Sequence, residues 1–281
     1  MLQLDTHIRT LETEYWSHLN TKVLGREVRF LATTDSTNTQ AMQWAQDAGP
    51  EGALVYAEHQ AAGRGRHGRH WATDPSTNLL FSLILRPDLP PASLGIINVA
   101  ASIALADTIN RYTAPISSEI KWPNDILVQG KKCCGMLLES AIPVQHKSGS
   151  LPVILGIGVN LNQAHFTPDI AEKASSLLLE TGRHIPRMAF LAQFLNHFET
   201  SYFSLKPTGN EQILAAYSKR LAYLNEETVL RFIGREKEIR GILTGVSATG
   251  ALQLQTADGL CEFHAGEVTS QPNAPRHAGE G

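Results

Sequence analysis

The run Gly63-Arg64-Gly65-Arg66-His67-Gly68-Arg69-His70-Trp71 concentrates cationic and flexible residues in one short stretch. Guanidinium forks match the paired oxygens of phosphates and carboxylates. Glycines between them let backbone N–H groups approach a ligand closely. Trp71 can close such a segment as an apolar lid or simply anchor it to the body. A solvated connection or an RNA-contacting arm has the same composition, so the run alone leaves the ligand open.

A second group lies downstream. Lys121-Trp122-Pro123-Asn124-Asp125 leads into a short strand at 126–128, a turn at Gln129-Gly130 and a returning strand at 132–139. Pro123 stiffens the approach, so Asn124 and Asp125 project from a rigid turn. Lys132 opens the returning strand. An ordinary Asx turn and a solvated hairpin lysine are the plain alternatives. Cys133 and Cys134 are expected to alternate inside and outside on that strand, as small packed residues rather than nucleophiles. Upstream, Thr33-Thr34-Asp35-Ser36-Thr37-Asn38 forms a polar cluster at a strand-to-helix turn. Its side chains serve equally as helix caps or as contacts to a ligand's polar edge. In 152–162, Gly156 and Gly158 share one face of a buried strand, leaving room for a ligand or a crossing backbone.

These groups need a frame. Hydrophobic spacing predicts a helix over 1–25 ending near Gly25, a strand at 26–32, and a helix at 39–48 stopped by Gly49-Pro50. Strands at 53–59 and 78–86 flank the Arg/Gly run, and a long buried helix follows over 93–112. Pro186 opens a helix at its first position, with Phe190, Phe194, Phe198 and Tyr202 as a core stripe, and 209–221 forms another. From about Asn225 the pattern changes to short strands at 228–233, 238–246, 251–255, 260–264 and 267–269. The tail from Gln271, rich in Pro, Gly and Ala, is expected to be disordered.

The 281 residues allow one large domain with a small companion. A net charge of −3 argues against a general nucleic-acid binder. The positive charge is local, which suits a small anionic ligand. Residues 1–25 are too few for a helix-turn-helix module. Three cysteines make neither a disulfide framework nor a zinc spacing. The N-terminus lacks a signal pattern, and the apolar run 95–106, interrupted by Asn98 and Ser102, is too short to span a bilayer. A cytoplasmic protein is expected.

In order and spacing, Ser36-Thr37-Asn38, Gln60 with 63–69 and Trp71, Lys121-Trp122-Pro123-Asn124-Asp125, Lys132 with Gly135, and Gly156-Ile157-Gly158-Val159-Asn160 resemble the biotin protein ligases. The match runs over about 36–160, and a C-terminal domain extends it to about 270. The resemblance implies an α+β fold in 1–224, a mixed central β-sheet flanked by helices of the class II synthetase/biotin–lipoate ligase kind. A small SH3-like β-barrel would occupy 225–270, and a disordered tail 271–281. It implies that biotin's carboxylate attacks the α-phosphate of ATP, giving biotinoyl-AMP and pyrophosphate. A lysine of a biotin carboxyl carrier protein, the carrier domain of acetyl-CoA carboxylase being the obvious candidate, then takes the biotinyl group.

Carried over by position, Lys132 and Arg66 would be catalytic, on the biotin carboxylate and α-phosphate. Arg69, Asn124 and Asn160 would join them in holding ATP, and Asp125 would orient Mg²⁺ or its bound water. Ser36, Thr37, Asn38 and Gln60, with Gly63, Arg64, Gly65 and Arg66, would read the ureido ring. Gly135, Gly156 and Gly158 would floor the pocket, Trp71 would cover the apolar tail, and the flexible Arg/Gly loop would order over the intermediate. Residues 174–179 would lie beside adenine, although they read equally as a helix start at a serine cap. His67, His70 and Cys133-Cys134 depart from the family's commoner residues without touching these roles. The resemblance leaves monomer or homodimer open and implies no DNA and no membrane partner. The rival readings are a lipoate or octanoate ligase or transferase of the same fold, and a nonenzymatic nucleotide or RNA binder. The Arg/Gly run with Lys-Trp-Pro-Asn-Asp speaks against the first, net acidity and Lys132 against the second.

Overall fold

The computed structural model describes residues 2–71, 73–140, 151–232, 234 and 238–270. In chain order come α1 (Leu2–His18), β1 (Val28–Thr34), α2 (Thr37–Gln46), β2 (Leu54–Gln60), β3 (Leu79–Leu85), α3 (Gly95–Thr113), β4 (Ser118–Lys121), β5 (Asp125–Val128), β6 (Lys131–Ser140) and β7 (Val153–Val159). Then follow α4 (Pro168–Ala171), α5 (Leu177–Thr181), α6 (Arg187–Ser204), α7 (Glu211–Ser218), β8 (Glu227–Arg231), β9 (Glu238–Val246), β10 (Leu252–Thr256), β11 (Gly259–Phe263) and β12 (Glu267–Ser270). The first seven strands form one mixed sheet in the order β1-β2-β3-β7-β6-β5-β4, parallel only between β1 and β2.

Strands β2, β3 and β7 are apolar on both faces, as a sheet covered on both sides requires. Leu54, Tyr56, Phe81, Leu83, Leu155 and Ile157 face a large core shared with α1, α3 and α6. The alternate residues Val55, Ile84 and Ile154 pack on Ala41 and Ala45 of α2. Side chains alternate with period 2, so on this second face Ser82, Gly156, Gly158 and Gly135 stand where the core would otherwise continue. The first residues of α2, Thr37 and Asn38, lie there, and the functional residues gather on this face.

Several elements differ from the sequence reading. Helix α1 stops at His18, short of Gly25, because the backbone N–H groups of Lys22, Val23 and Leu24 donate to the Glu199 carboxylate at 2.7–2.8 Å. A carboxylate thus takes the donors that a continuing helix would give to its own carbonyls. Strand β4 was not foreseen. Cys133 and Cys134 do not alternate: both are fully buried, because the β5–β6 register slips between Ile126 and Leu127 and leaves Cys133 as a bulge. Pro186 is the N-cap of α6, one position before its predicted place. Helix α3 is long and apolar enough to cross a membrane, yet two thirds of its apolar stretch (67%) is buried within the protein. The expected tail 271–281 lies outside the described residues.

Strands β8–β12 form a second, antiparallel sheet in the order β11-β10-β9-β8-β12. It seats on the first through the β9–β10 turn. Trp122 Nε1–H donates to the Gly250 carbonyl at 3.0 Å. Gly95, at the start of α3, must be glycine because a Cβ there would lie 2.8 Å from the Thr249 carbonyl oxygen.

Candidate active site

The Arg/Gly run is folded as a hairpin. Trp71 N–H donates to the Gly63 carbonyl at 2.9 Å and Gly65 N–H to the Arg69 carbonyl at 2.7 Å. His67 and Gly68 turn the tip with φ of 58° and 73°. The Gly65 N–H is therefore spent on the hairpin itself and is not offered to a ligand. A Cβ on Gly63 would meet the Trp71 carbonyl oxygen at 2.6 Å, so that residue's role is steric.

The three guanidinium groups diverge. Arg64 reaches Glu139 at 3.3 Å and Arg69 reaches Glu267 of β12 at 2.7 Å, both from exposed positions. Arg66, between them, is half-buried and donates to Asn124 Oδ1 at 3.3 Å and to the Gly266 carbonyl at 3.5 Å. Burial lowers its pKa, while Glu267 and Asp125 oppose that fall. A partly desolvated cation that makes no ion pair within 4.0 Å among the described residues is well suited to meet an incoming anion.

Facing it, the β5–β6 hairpin presents Lys132, whose Nζ lies 2.7 Å from Asp125 Oδ1 and 5.3 Å from the centre of the Trp71 ring. The backbone at Lys132 is clamped by the segment before α5. Its N–H donates to the Lys173 carbonyl at 2.8 Å, and its carbonyl accepts from Ser175 N–H at 3.0 Å. Asn160 Nδ2 holds the same segment through the Ser175 carbonyl at 3.1 Å. Asn124 Nδ2 is bonded to the Met136 carbonyl at 2.6 Å, which turns its oxygen towards Arg66.

Gly135, Gly156 and Gly158 line the cleft, and two side chains lie over them. The space above Gly158 and Gly135 holds the Trp71 indole, to which a Cβ would come within 2.6 and 2.9 Å. The space above Gly156 holds the Asn38 amide, whose oxygen would lie 1.9 Å from a Cβ. Two side chains of the protein thus share the inner wall of the cleft with the glycines. Ser36 has the extended conformation of an N-cap but makes no side-chain cap bond, so its hydroxyl remains for the cleft. Gln60 Oε1 accepts from Thr37 N–H at 2.7 Å and from the Thr37 hydroxyl at 3.0 Å.

The resulting cavity, of about 310 Å³, is lined by every residue named above as a catalytic, biotin-binding, ATP-binding or Mg²⁺ candidate except Gly63, the segment 174–179 apart. Of 174–179 only Ala174 reaches it, while Ser176 caps α5 by accepting from Leu179 N–H at 3.1 Å. Sequence reasoning missed Phe166, Ile170, Lys173 and Glu267, which also line it. No local motif marks them; they arrive through the pairing of 173–175 with Lys132 and through the second sheet. Burial pushes the Cys133 thiol up to about 12 and Cys134 well above its usual range, so neither is a nucleophile. Among the described residues no three His, Cys, Asp or Glu side chains cluster as a metal site.

With this geometry in hand, residues 30–160 match the Biotin/lipoate A/B protein ligase family and residues 223–269 the Biotin protein ligase C terminal domain. The chain is 35% identical over 246 residues to the biotin–[acetyl-CoA-carboxylase] ligase of Paracoccus denitrificans, covering 85% of this chain and 98% of that one. It is 32% identical over 259 residues to the bifunctional ligase/repressor BirA of Bacillus spizizenii, covering 92% of this chain and 78% of that one. The structure of the Aquifex aeolicus biotin protein ligase in complex with biotin and ATP superposes with a TM-score of 0.75 at 27% identity, over 88% of this chain and 99% of that one.

Proposed function

The chain belongs to the biotin protein ligase family, and from that premise we propose how its cleft joins biotin, by way of biotinoyl-AMP, to a carrier lysine. The enzyme is an ATP-dependent, AMP-forming biotin ligase. In the first step a carboxylate oxygen of biotin bonds to the α-phosphorus and pyrophosphate leaves. In the second, a lysine amine of the carrier attacks the acyl carbon and AMP leaves with the anhydride oxygen. We take 1–224 as the catalytic domain, 225–270 as its companion, and a biotin carboxyl carrier protein as the acceptor.

The observation that supports this reading is the convergence of Lys132 and Arg66 on one cleft that Ser36 and Gln60 also line. Both steps gather negative charge on phosphoryl and acyl oxygens. Fixed cations stabilise such charge most where water is excluded. We assign Lys132 to the α-phosphate and the reacting carboxylate. In the free enzyme Asp125 holds its ammonium at 2.7 Å, so the arriving phosphate competes for a cation already aimed. Arg66 bridges the same oxygens from the hairpin side, and Arg69, Asn124 and Asn160 hold the nucleotide. Trp71 shields the apolar chain of biotin, and Gln60 with Ser36 meets the ureido ring.

Mg²⁺ takes most of its ligands from phosphates and water and needs only one or two protein oxygens. Asp125 and Asn124 are hard oxygen donors on the cleft and fit that demand. When bound, the ion would neutralise phosphate charge beside Lys132. The purified protein, given biotin, Mg-ATP and a carrier domain, should add one biotinyl group to the carrier by mass spectrometry. An unmodified carrier would overturn the reading.

A further inference from the structure

Lys121, the last residue of β4, stands beside the cleft and is not among the residues that line it. By register Lys121 on β4, Asp125 on β5, Gly135 on β6 and Gly158 on β7 form one row across the sheet. Opposite residues in antiparallel strands share a face, with Cβ atoms about 4.5–5.5 Å apart. The Lys121 side chain therefore leaves the sheet on the cleft face, next to Asp125 and on the side away from Gly135. Over Gly135 lies the Lys132 ammonium, which holds Asp125 Oδ1 at 2.7 Å from that other side.

Lys121 is half-buried. Burial lowers its pKa, while Asp125 and Glu267 oppose that fall, so both carboxylates are near enough to act on its charge. Each of them already has a cation at 2.7 Å, Lys132 for Asp125 and Arg69 for Glu267. Lys121 makes no ion pair of its own among the described residues. The cations that occupy the two carboxylates are the ones assigned above to the phosphate and the nucleotide. Lys121 is thus a charge held in reserve.

The Asp125 side chain is only 19% exposed. Drawing Lys132 away leaves that carboxylate without its partner, and an unpaired, mostly buried charge is costly. We propose that Lys121 is a positioning residue: it takes over the Asp125 carboxylate when Lys132 turns to the ligand phosphate, and so frees the ammonium to go. The exchange matters most once biotinoyl-AMP has formed. Pyrophosphate and any cation it carries have then gone, while Lys132 stays on the adenylate phosphate. The proposal rests on the assignment of Lys132 to that phosphate, and Lys121 acts through Asp125 without touching a substrate.

The test follows release of preformed, labelled biotinoyl-AMP from the full chain in metal-free buffer. Lys121→Met should speed release about tenfold, the scale of one charge-assisted contact. Lys121→Arg, which keeps the charge, should restore slow release. In an Asp125→Asn background no carboxylate is left to take over, and Lys121→Met should change the rate by less than about twofold. Equal acceleration in both backgrounds would mean that Lys121 acts on the ligand or the fold directly, and would overturn the proposal. So would unchanged release from Lys121→Met beside fast release from Lys132→Ala, which leaves the site reading standing. Unchanged release from Lys132→Ala as well would overturn the site reading itself. Should Lys121→Met not fold, a crystal structure of the wild type with biotinoyl-AMP decides. Lys121 Nζ should lie within 4.0 Å of the Asp125 carboxylate; an Asp125 still paired with Lys132 alone would refute the exchange.

Discussion

Lys132 and Asp125 stand as an ion pair across the β5–β6 hairpin, with Nζ 2.7 Å from Oδ1. Asp125 is paired by register with Gly135, and the missing side chain there leaves the Lys132 ammonium free to lie over it, 3.1 Å from where a Cβ would sit. The pair keeps the ammonium aimed at the cleft before any anion arrives.

Removing that ammonium should leave the fold and abolish the chemistry. Lys132→Ala is expected to lower biotin-dependent ATP–pyrophosphate exchange by a factor on the order of a hundred or more. Its circular dichroism and melting curve should match those of the wild type. Exchange at the wild-type rate would refute the role given to Lys132.

Arg66 faces Asn124 at 3.3 Å from the hairpin that roofs the cleft. Arg66→Ala should speed release of preformed biotinoyl-AMP, by roughly tenfold for one lost charge-assisted contact. Dissociation of a labelled adenylate measures this directly, and an unchanged off-rate would count against the retention role.

Gly158 is a sharper probe of the inner wall. A Cβ there would fall 2.6 Å from the Trp71 ring, so Gly158→Ala must displace the indole. Biotin affinity should drop by about tenfold or more, since an overpacked site costs about 1–3 kcal/mol. Indole fluorescence should change with it. Tight biotin binding by this variant would mean that Trp71 is no part of the pocket.

Away from the cleft, Glu58 on β2 ties the sheet to α6. Its carboxylate accepts from Arg187 at 2.7 and 3.1 Å while only 4% exposed. Burial by itself would raise its pKa, but the bonds from Arg187 prevail and hold it near 2, below its ordinary 4.5. A depressed folded-state value favours the folded protein at neutral pH. That contribution is complete above about pH 4.5 and fades as the pH falls towards 2. Glu58→Gln should therefore cost on the order of 3 kcal/mol at pH 7. The gap to the wild type should close over that acid window in denaturant titrations; a gap independent of pH would exclude the ion pair as its source.

Much of this was legible beforehand because it rests on local chemistry. Pro123, Asn124 and Asp125 announce a turn, Gln129-Gly130 a hairpin, and the alternating Gly156 and Gly158 a surface with something close against it. What occupies that space was not legible, since a sequence shows an absent Cβ and not the indole or amide that fills it. The hairpin form of the Arg/Gly run was not legible either, because its cross-hairpin bonds depend on the strands at either side. Glu267 and Lys173 were missed for the same reason, as long-range pairing alone brings them to the cleft. At the N-terminus, the helical spacing could not reveal that a glutamate far along the chain takes the amides of residues 22–24.

Trp122 looks away from the chemistry. It shares a short motif with Asn124 and Asp125, yet its indole is anchored to the Gly250 carbonyl of the smaller sheet. A chain cut near residue 225 would strip that indole of its acceptor and bare the apolar seam beside Gly95. The loss would travel along three residues of backbone to the hairpin that bears Lys132. The smaller sheet is thus a buttress: remove it, and the reactive groups remain in the sequence but lose the footing that aligns them.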